Sequence, residues 1–506
     1  MKKKLTITKH TQLALESSKP TYFRGYIQSN TILKNTYITN SEGLIVYKFT
    51  TSNKKKIELY WFMQNAGEYT LHLVPLDDIQ TNVDIAFQSV ELKKIQFVSP
   101  PQEVISPLLT KTEQQIMQGD VSAEKHFWHT VVTEGTPLIE DYDKNQNILT
   151  FLYHGSSSTQ NISILGAPYD GQVYLTLLPN STIWFKSYLV PKSSRFTYRI
   201  SVNVPQLLEP SWSEQFLASF TTSITDPKNI QPKFGQDDIF GQASTVTLQL
   251  APPDLFTEQR SAPSGDIKEL EFCSKQLNNT RKITIYQPNS LYELDRTAPL
   301  LFIFDGTDYL TKIPMPIILD NLIAQKTIPP LRAIFVDPSD PAARALELTP
   351  NPKFADFLAN ELKPWICQHL NIHPNAEDTV LCGSSFGGLA SLYIAFNYPE
   401  HFGKVLSQSG SFWWHPNSAL SEEKIMTHWF SDLVNNSPTK PIKVYMNAGL
   451  FEAAPKAYEI LENNRTLAST LQNSGYTVTY EEFAAGHDYF SWRVTLVHGL
   501  NALLNH

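Results

Sequence analysis

Gly383-Ser384-Ser385-Phe386-Gly387 has the form Gly-x-Ser-x-Gly, a spacing that can present a serine hydroxyl as a nucleophile. That chemistry demands an apolar strand, a turn too tight for side chains on its flanks, and then a helix. Thr379, Val380 and Leu381 supply the strand, and Leu389 through Phe396 an amphipathic helix. Ser385 is therefore expected on a strained elbow, with Gly383 and Gly387 allowing close backbone approach and the Phe386 N–H turned toward an oxyanion. Alone, such a pentapeptide is also met as a plain Gly-Ser-rich turn. The strand and helix on its correct sides favour the nucleophile.

A serine hydroxyl is a poor nucleophile at neutral pH, so the elbow predicts a histidine downstream and an acid to orient it. Phe483-Ala484-Ala485-Gly486-His487-Asp488-Tyr489 lies between a strand-like run, Thr477 to Glu481, and a helix starting near Trp492. His487 is thus the expected base among thirteen histidines, for each of which a plain surface role is the alternative. Glu452 follows the strand-like run Val444 to Gly449 and gives the chain order Ser, acid, His. Asp488 is a second candidate acid, although a residue there more naturally bonds backbone. Asp305, after the strand Leu300 to Phe304, is a third but is better placed for the oxyanion side. A Ser-His pair without a strong third member is also open.

At 506 residues the chain should hold two to four domains. Hydrophobic content of 42% with 18% charged residues indicates a folded globular protein, and a formal net charge of −8 argues against nucleic acid as a partner. The start, Met1-Lys2-Lys3-Lys4, is basic, but no apolar run of signal-peptide length follows. No stretch approaches the roughly 18 apolar residues of a membrane span. Cys273, Cys367 and Cys382 form neither a metal-ligand pattern nor a disulfide framework, which suits the cytoplasm.

The elements that must position the site come late in the chain. Residues 1–100 alternate short β runs with turn signals, as in Ile57-Glu58-Leu59-Tyr60-Trp61-Phe62, and predict a small β-sandwich, with Lys54-Lys55-Lys56 as a hairpin tip and Pro100-Pro101 as its boundary. A short polar helix near Thr112 to Gln118 leads to a second β-sandwich over 110–210. A Pro-, Asp-, Gln- and Ser-rich stretch, 211–268, reads as a linker. From 269 to 506 strands alternate with helices, which predicts an α/β domain with a mostly parallel sheet, helices on both faces, and ligands outside the carboxyl ends of the strands.

With the elbow, Leu406-Ser407-Gln408-Ser409-Gly410-Ser411-Phe412-Trp413-Trp414 and Gly486-His487-Asp488 in view, the chain resembles the enterochelin esterase family. The resemblance extends through Phe304-Asp305-Gly306 and Arg344-Ala345-Leu346-Glu347-Leu348, and into the second β block at Gly135-Thr136-Pro137-Leu138 and Trp184-Phe185-Lys186-Ser187-Tyr188. It runs from near residue 110 to the end, leaving the first hundred residues as an added module.

The resemblance implies an α/β-hydrolase domain behind two β-sandwich modules. It makes Ser385 the nucleophile and His487 the base of a serine esterase acting on ferric catecholate siderophores of the enterobactin type. A second oxyanion donor would come from Gly306 or Thr307, following Asp305. Arg344 and Glu347 match positions near the family's substrate cleft, where a planar cation suits catecholate rings and oxygens; a structural Arg-Glu pair is the alternative. Trp413 and Trp414 could wall the pocket, with one expected in the core. The family's acid is usually followed closely by Pro, whereas Glu452 is followed by Ala453-Ala454-Pro455. Catalysis would need no metal or organic cofactor, iron being part of the substrate, and would take place in the cytoplasm. Two other functions are compatible with the residues: a carboxylesterase for feruloyl or acetyl groups on carbohydrate, and a siderophore-binding protein without catalysis.

Overall fold

Eight strands occupy the first ninety residues, Lys2–Ile7, Thr11–Ser17, Thr21–Ser29, Leu33–Asn40, Ile45–Lys48, Lys56–Met63, Gly67–Pro75 and Thr81–Val90, and along Thr11–Ser17 and Lys56–Met63 side chains alternate between core and solvent. The computed structural model describes residues 2–49, 55–76, 79–90, 92–93, 102–166, 168, 172–208, 212–235, 242–340, 343–416, 428–453 and 459–505. The eight strands form two antiparallel four-stranded sheets, ordered first-eighth-third-sixth and second-seventh-fourth-fifth. Ile27, Leu59 and Ile85 from one sheet meet Ile38, Leu71 and Leu73 from the other in a shared core, which makes this module a β-sandwich. Lys54 and the Pro100-Pro101 boundary lie outside the described residues.

Helices Pro107–Met117 and Ala123–Glu134 precede a second set of short strands in two further sheets. The stretch 211–268 is more than a linker. It contains the helix Trp212–Thr221 and the strands Ser223–Ile224 and Ser244–Thr247, both paired with strand Arg195–Val202. Ala218 of that helix is fully buried in a small cluster with Leu207 and Tyr22. Only a narrow apolar face is needed for such docking, so the polar average of the stretch conceals a helix.

The chain divides into two compact units, of which the second is built mainly from Val190–Thr197 and Thr245–His506. Numbering this unit's elements alone, its strands are β1 (Asp266–Ser274), β2 (Asn279–Gln287), β3 (Leu300–Phe304), β4 (Arg332–Val336), β5 (Thr379–Ser384), β6 (Lys404–Gln408), β7 (Lys443–Gly449) and β8 (Thr477–Phe483). They form one sheet in the order β1-β2-β4-β3-β5-β6-β7-β8, antiparallel at β1-β2-β4 and parallel beyond. The helices that matter below are α1 (Gly306–Thr311), α2 (Met315–Ala324), α3 (Ala343–Leu348), α4 (Phe386–Asn397), α5 (Ile460–Asn473) and α6 (Tyr489–Leu504).

Period-two alternation explains why both faces of this sheet are covered. Leu300, Phe302 and Phe304 of β3 enter one core with α4 and α5, while Leu301 and Ile303 enter a second core with α2 and α6. Leu381, Val405 and Val444 join the first, and Val380, Leu406 and Tyr445 the second. A strand apolar on both faces reads as a continuous run and belongs to a buried parallel sheet. Each such fully buried large side chain contributes roughly 1.5–3 kcal/mol, which fixes where the strands' carboxyl ends lie. Among the described residues no helix is long and apolar enough to cross a membrane.

Candidate active site

Three non-glycine residues take up positive φ directly after parallel strands: Asp305 after β3 (φ 55), Ser385 after β5 (φ 56) and Ser409 after β6 (φ 49). Of the other five described residues with this backbone, four are asparagines, which tolerate it, and one is Lys326. Strain of this kind costs about 1–3 kcal/mol per residue and collects at functional sites. Here it collects at the carboxyl edge of the sheet.

Ser385 sits between β5 and α4 with ψ −121. The turn is possible because a Cβ on Gly383 would come within 2.5 Å of the Gly387 carbonyl carbon. Both main-chain polar groups of Ser385 are fixed by the segment after β6: its N–H donates to Gln408 O (2.9 Å) and its C=O accepts from Ser411 N–H (3.1 Å). Its Oγ lies 3.2 Å from Ser411 Oγ. The Phe386 N–H belongs to the first turn of α4, where no intrahelical acceptor exists.

His487 follows β8 and precedes α6. Its Nδ1 is 2.5 Å from Glu452 Oε1, and the Glu452 side chain is fully buried. The other carboxylate oxygen, Oε2, accepts from Gly449 N–H at 2.6 Å. A buried carboxylate is an acceptor, so the ring proton belongs on Nδ1 and the lone pair on Nε2. Trp492 of α6 meets the His487 ring edge-on (centroids 4.7 Å apart, 82°) and donates from Nε1 to Ser409 Oγ (3.0 Å).

Asp488 does different work. It caps α6 by accepting from Ser491 N–H (2.7 Å) and also accepts from Thr197 N–H (2.9 Å). Burial pushes its carboxyl up, and these N–H donors pull the other way. Of the acids considered, Glu452 is the one bonded to His487. Pro455 lies outside the described residues.

The candidate substrate residues separate into two groups. Arg344 of α3 grips Asp305 with two hydrogen bonds of 2.6 Å, and its guanidinium lies 5.8 Å from the centre of the Phe386 ring. Burial opposes its charge, but the Asp305 hydrogen bonds and charge outweigh it and raise the pKa above the ordinary value. About a third of the Arg344 side chain is exposed, whereas Asp305 is buried. Trp413 packs on Phe386 (5.8 Å), while Trp414 turns to Trp429 (5.3 Å) and the first core.

Two expectations need correction. Glu347 is buried and occupied by Arg281 of β2, which donates to both its oxygens (2.8 and 3.2 Å) and whose side chain is completely buried. Neither group is offered to a ligand, and Arg344 and Glu347 do not pair with each other. Thr307 cannot serve as an oxyanion donor, because its N–H already donates to Asp337 Oδ1 (2.7 Å) and its hydroxyl to Oδ2 (2.8 Å). Gly306 is left as the candidate on that side. A Cβ there would meet Phe335 Cβ at 2.8 Å, so the position is held to glycine. Ser411 was not expected at all. The clustering of small polar residues in Ser407-Gln408-Ser409-Gly410-Ser411 directly after a strand was the available signal.

Known proteins share this chain's fold and part of its sequence. The Esterase family model matches residues 274–503. The iron(III) enterobactin esterase of Dickeya dadantii is 26% identical over 427 residues, covering 77% of this chain and 95% of that protein. The iron(III) enterobactin esterase of Escherichia coli K12 is 29% identical over 367 residues, covering 71% and 87%. In fold, the crystal structure of a ferric enterobactin esterase from Salmonella typhimurium superposes with a TM-score of 0.60 at 23% identity, covering 75% of this chain and 98% of that one. The chain is thus similar over most of its length to iron(III) enterobactin esterases and, over residues 274–503, to the Esterase family.

Proposed function

We propose that this protein is a serine esterase that hydrolyses ester bonds in the backbone of a ferric catecholate siderophore, with Ser385 as nucleophile, His487 as base and Glu452 as the acid that orients it. The observation that carries the proposal is the strained Ser385 at the carboxyl edge of the sheet together with the 2.5 Å His487–Glu452 contact. Ser385 Oγ attacks the ester carbonyl while His487 Nε2 takes its proton, and Glu452 stabilises the imidazolium. The Phe386 and Gly306 N–H groups are the assigned oxyanion donors. Collapse of the tetrahedral adduct expels the alcohol, protonated by His487, and leaves an acyl-enzyme. Water activated by the same nitrogen then releases the hydroxy acid.

The substrate class comes from relatives aligned over most of both chains and from chemistry beside the nucleophile. Arg344 offers a partly exposed guanidinium, ion-paired with Asp305, next to the aromatic pair Phe386 and Trp413, a combination that suits anionic catecholate rings in a chain of net charge −8. Opening a trilactone removes the preorganisation of the three catecholates and so weakens their hold on iron. A cytoplasmic setting is supported by three free cysteines, Cys273, Cys367 and Cys382.

The test is chromatography of products after purified wild-type and Ser385→Ala proteins are incubated with iron-loaded enterobactin and, separately, a small aryl ester. Serine-dependent release of linear dihydroxybenzoylserine species is the expected result. Serine-dependent cleavage of the aryl ester alone would discard the siderophore as substrate and favour an acyl-sugar esterase.

A further inference from the structure

We infer that Ser411 is a positioning residue whose hydroxyl donates a hydrogen bond to Ser385 Oγ, keeping the nucleophile's own proton directed at His487. This rests on the reading of Ser385 as the nucleophile. The two hydroxyl oxygens are 3.2 Å apart, and Ser411 is almost fully buried. Either could donate, but a serine hydroxyl carries one proton, and base catalysis needs the Ser385 proton on the His487 side. Ser411 must then be the donor and Ser385 Oγ the acceptor.

The surroundings make Ser411 a fixed donor. Its N–H donates to Ser385 O, and its C=O accepts from Trp414 N–H at 3.1 Å, so both of its main-chain polar groups are bonded. The preceding Gly410 carbonyl accepts from the fully buried Asn464 Nδ2 of α5 at 2.8 Å. Two residues upstream, Ser409 accepts from Trp492, whose ring abuts His487. Gln408 Nε2 donates to Trp492 O (2.9 Å) and to Thr495 Oγ1 (2.9 Å). One short segment, 408–411, therefore holds both partners of the proton transfer.

At 3.2 Å the hydroxyl pair is longer than the 2.7–2.8 Å usual for O–H···O. A bond that is long at rest gains most when negative charge builds on its acceptor, and charge builds on Ser385 Oγ as its proton leaves for Nε2. The same donor faces that oxygen again when the acyl-enzyme is hydrolysed and Ser385 becomes the leaving group. No atom is transferred to or from Ser411 in either half.

The experiment compares wild type, Ser411→Ala, Ser411→Thr and Ser385→Ala, using an aryl ester for turnover and a fluorophosphonate for the rate of covalent capture, with thermal unfolding recorded for each. For Ser411→Ala we expect kcat to fall about tenfold to a hundredfold, KM to stay within twofold, and capture to slow by a similar factor, with folding retained. Ser411→Thr, which keeps the hydroxyl, should recover most of the capture rate. Unchanged capture in a folded Ser411→Ala protein, or a change confined to KM, overturns the inference, as does a folded Ser411→Thr protein as slow as Ser411→Ala. Should Ser411→Thr fail to fold, the capture rate of Ser411→Ala decides alone. Turnover persisting in Ser385→Ala would instead defeat the nucleophile reading itself.

Discussion

The N-terminal sandwich and the carboxyl edge of the catalytic sheet each hold a histidine bonded through Nδ1, and the two partners are opposite in kind. His72 is buried, with Nδ1 2.9 Å from His10 Nε2 and Nε2 2.9 Å from Thr39 Oγ1, and it stacks on Tyr37 at 4.4 Å. Burial and, after it, the neighbouring His10 lower its pKa. His487 faces the buried carboxylate of Glu452. A second imidazole penalises the cation and a carboxylate rewards it, so only the second arrangement suits a base that must gain a proton in mid-reaction. What the ring's Nδ1 faces, rather than burial or hydrogen bonding as such, is the feature on which the role proposed for His487 rests.

The largest expected effect tests the catalytic half of that contrast. His487→Ala should lower kcat/KM for an aryl ester by about 10⁴-fold or more, measured on protein whose unfolding is unchanged. Glu452→Gln is expected next, at roughly 10³ to 10⁴-fold, because an amide can donate to Nδ1 and favour the wrong tautomer. If Glu452→Gln left kcat within threefold of wild type, the carboxylate would have no part in the contrast.

A second contrast lies on helix α3, where two charged residues three apart have different fates. Glu347→Ala should cost about 3–5 kcal/mol of stability by stranding the buried Arg281, read as a lower denaturation midpoint with KM unaltered. Arg344→Ala should raise KM for the iron-loaded siderophore about tenfold while barely changing turnover of a neutral aryl ester. Equal effects of the two substitutions on KM would erase the distinction drawn between them.

The smallest effect belongs to His72. Its lowered pKa means that the folded module binds fewer protons than the unfolded chain as pH falls below about 6.5. The stability that this histidine contributes is therefore present above that pH and lost as pH falls through the lowered native value. Hydrogen-exchange protection of residues 2–90, corrected for intrinsic rates, should decline from pH 7.5 to 5.5 in wild type and decline less in His72→Gln. Identical slopes would show that the His10–His72 pair is electrostatically silent.

How much of this could be read from the chain follows from the range of each interaction. The elbow is local: strand, glycine, serine, glycine and helix lie within about twenty residues, and buried strands such as Leu300–Phe304 announce themselves as apolar runs. His487 could be singled out because this topology places a base after the last strand, and the structure sets its Nδ1 against Glu452. Partners far apart in sequence were not legible. Nothing in Arg344-Ala345-Leu346-Glu347 reveals that Glu347 is claimed by Arg281, 66 residues upstream, or that Asp337 takes the Thr307 N–H from 30 residues downstream. Helix Trp212–Thr221 was hidden by averaging over polar neighbours, the strand Lys2–Ile7 by its exposed lysines, and the strand Thr11–Ser17 by Gln12 and Glu16 on its solvent face.

Intact-mass and peptide mapping after treatment with a fluorophosphonate, with iron-loaded enterobactin hydrolysis followed on the same samples, tests the central claim most directly. A single adduct on Ser385, appearing in step with complete loss of hydrolysis, is the predicted result. An adduct on another residue, or siderophore hydrolysis that survives full labelling of Ser385, would contradict it.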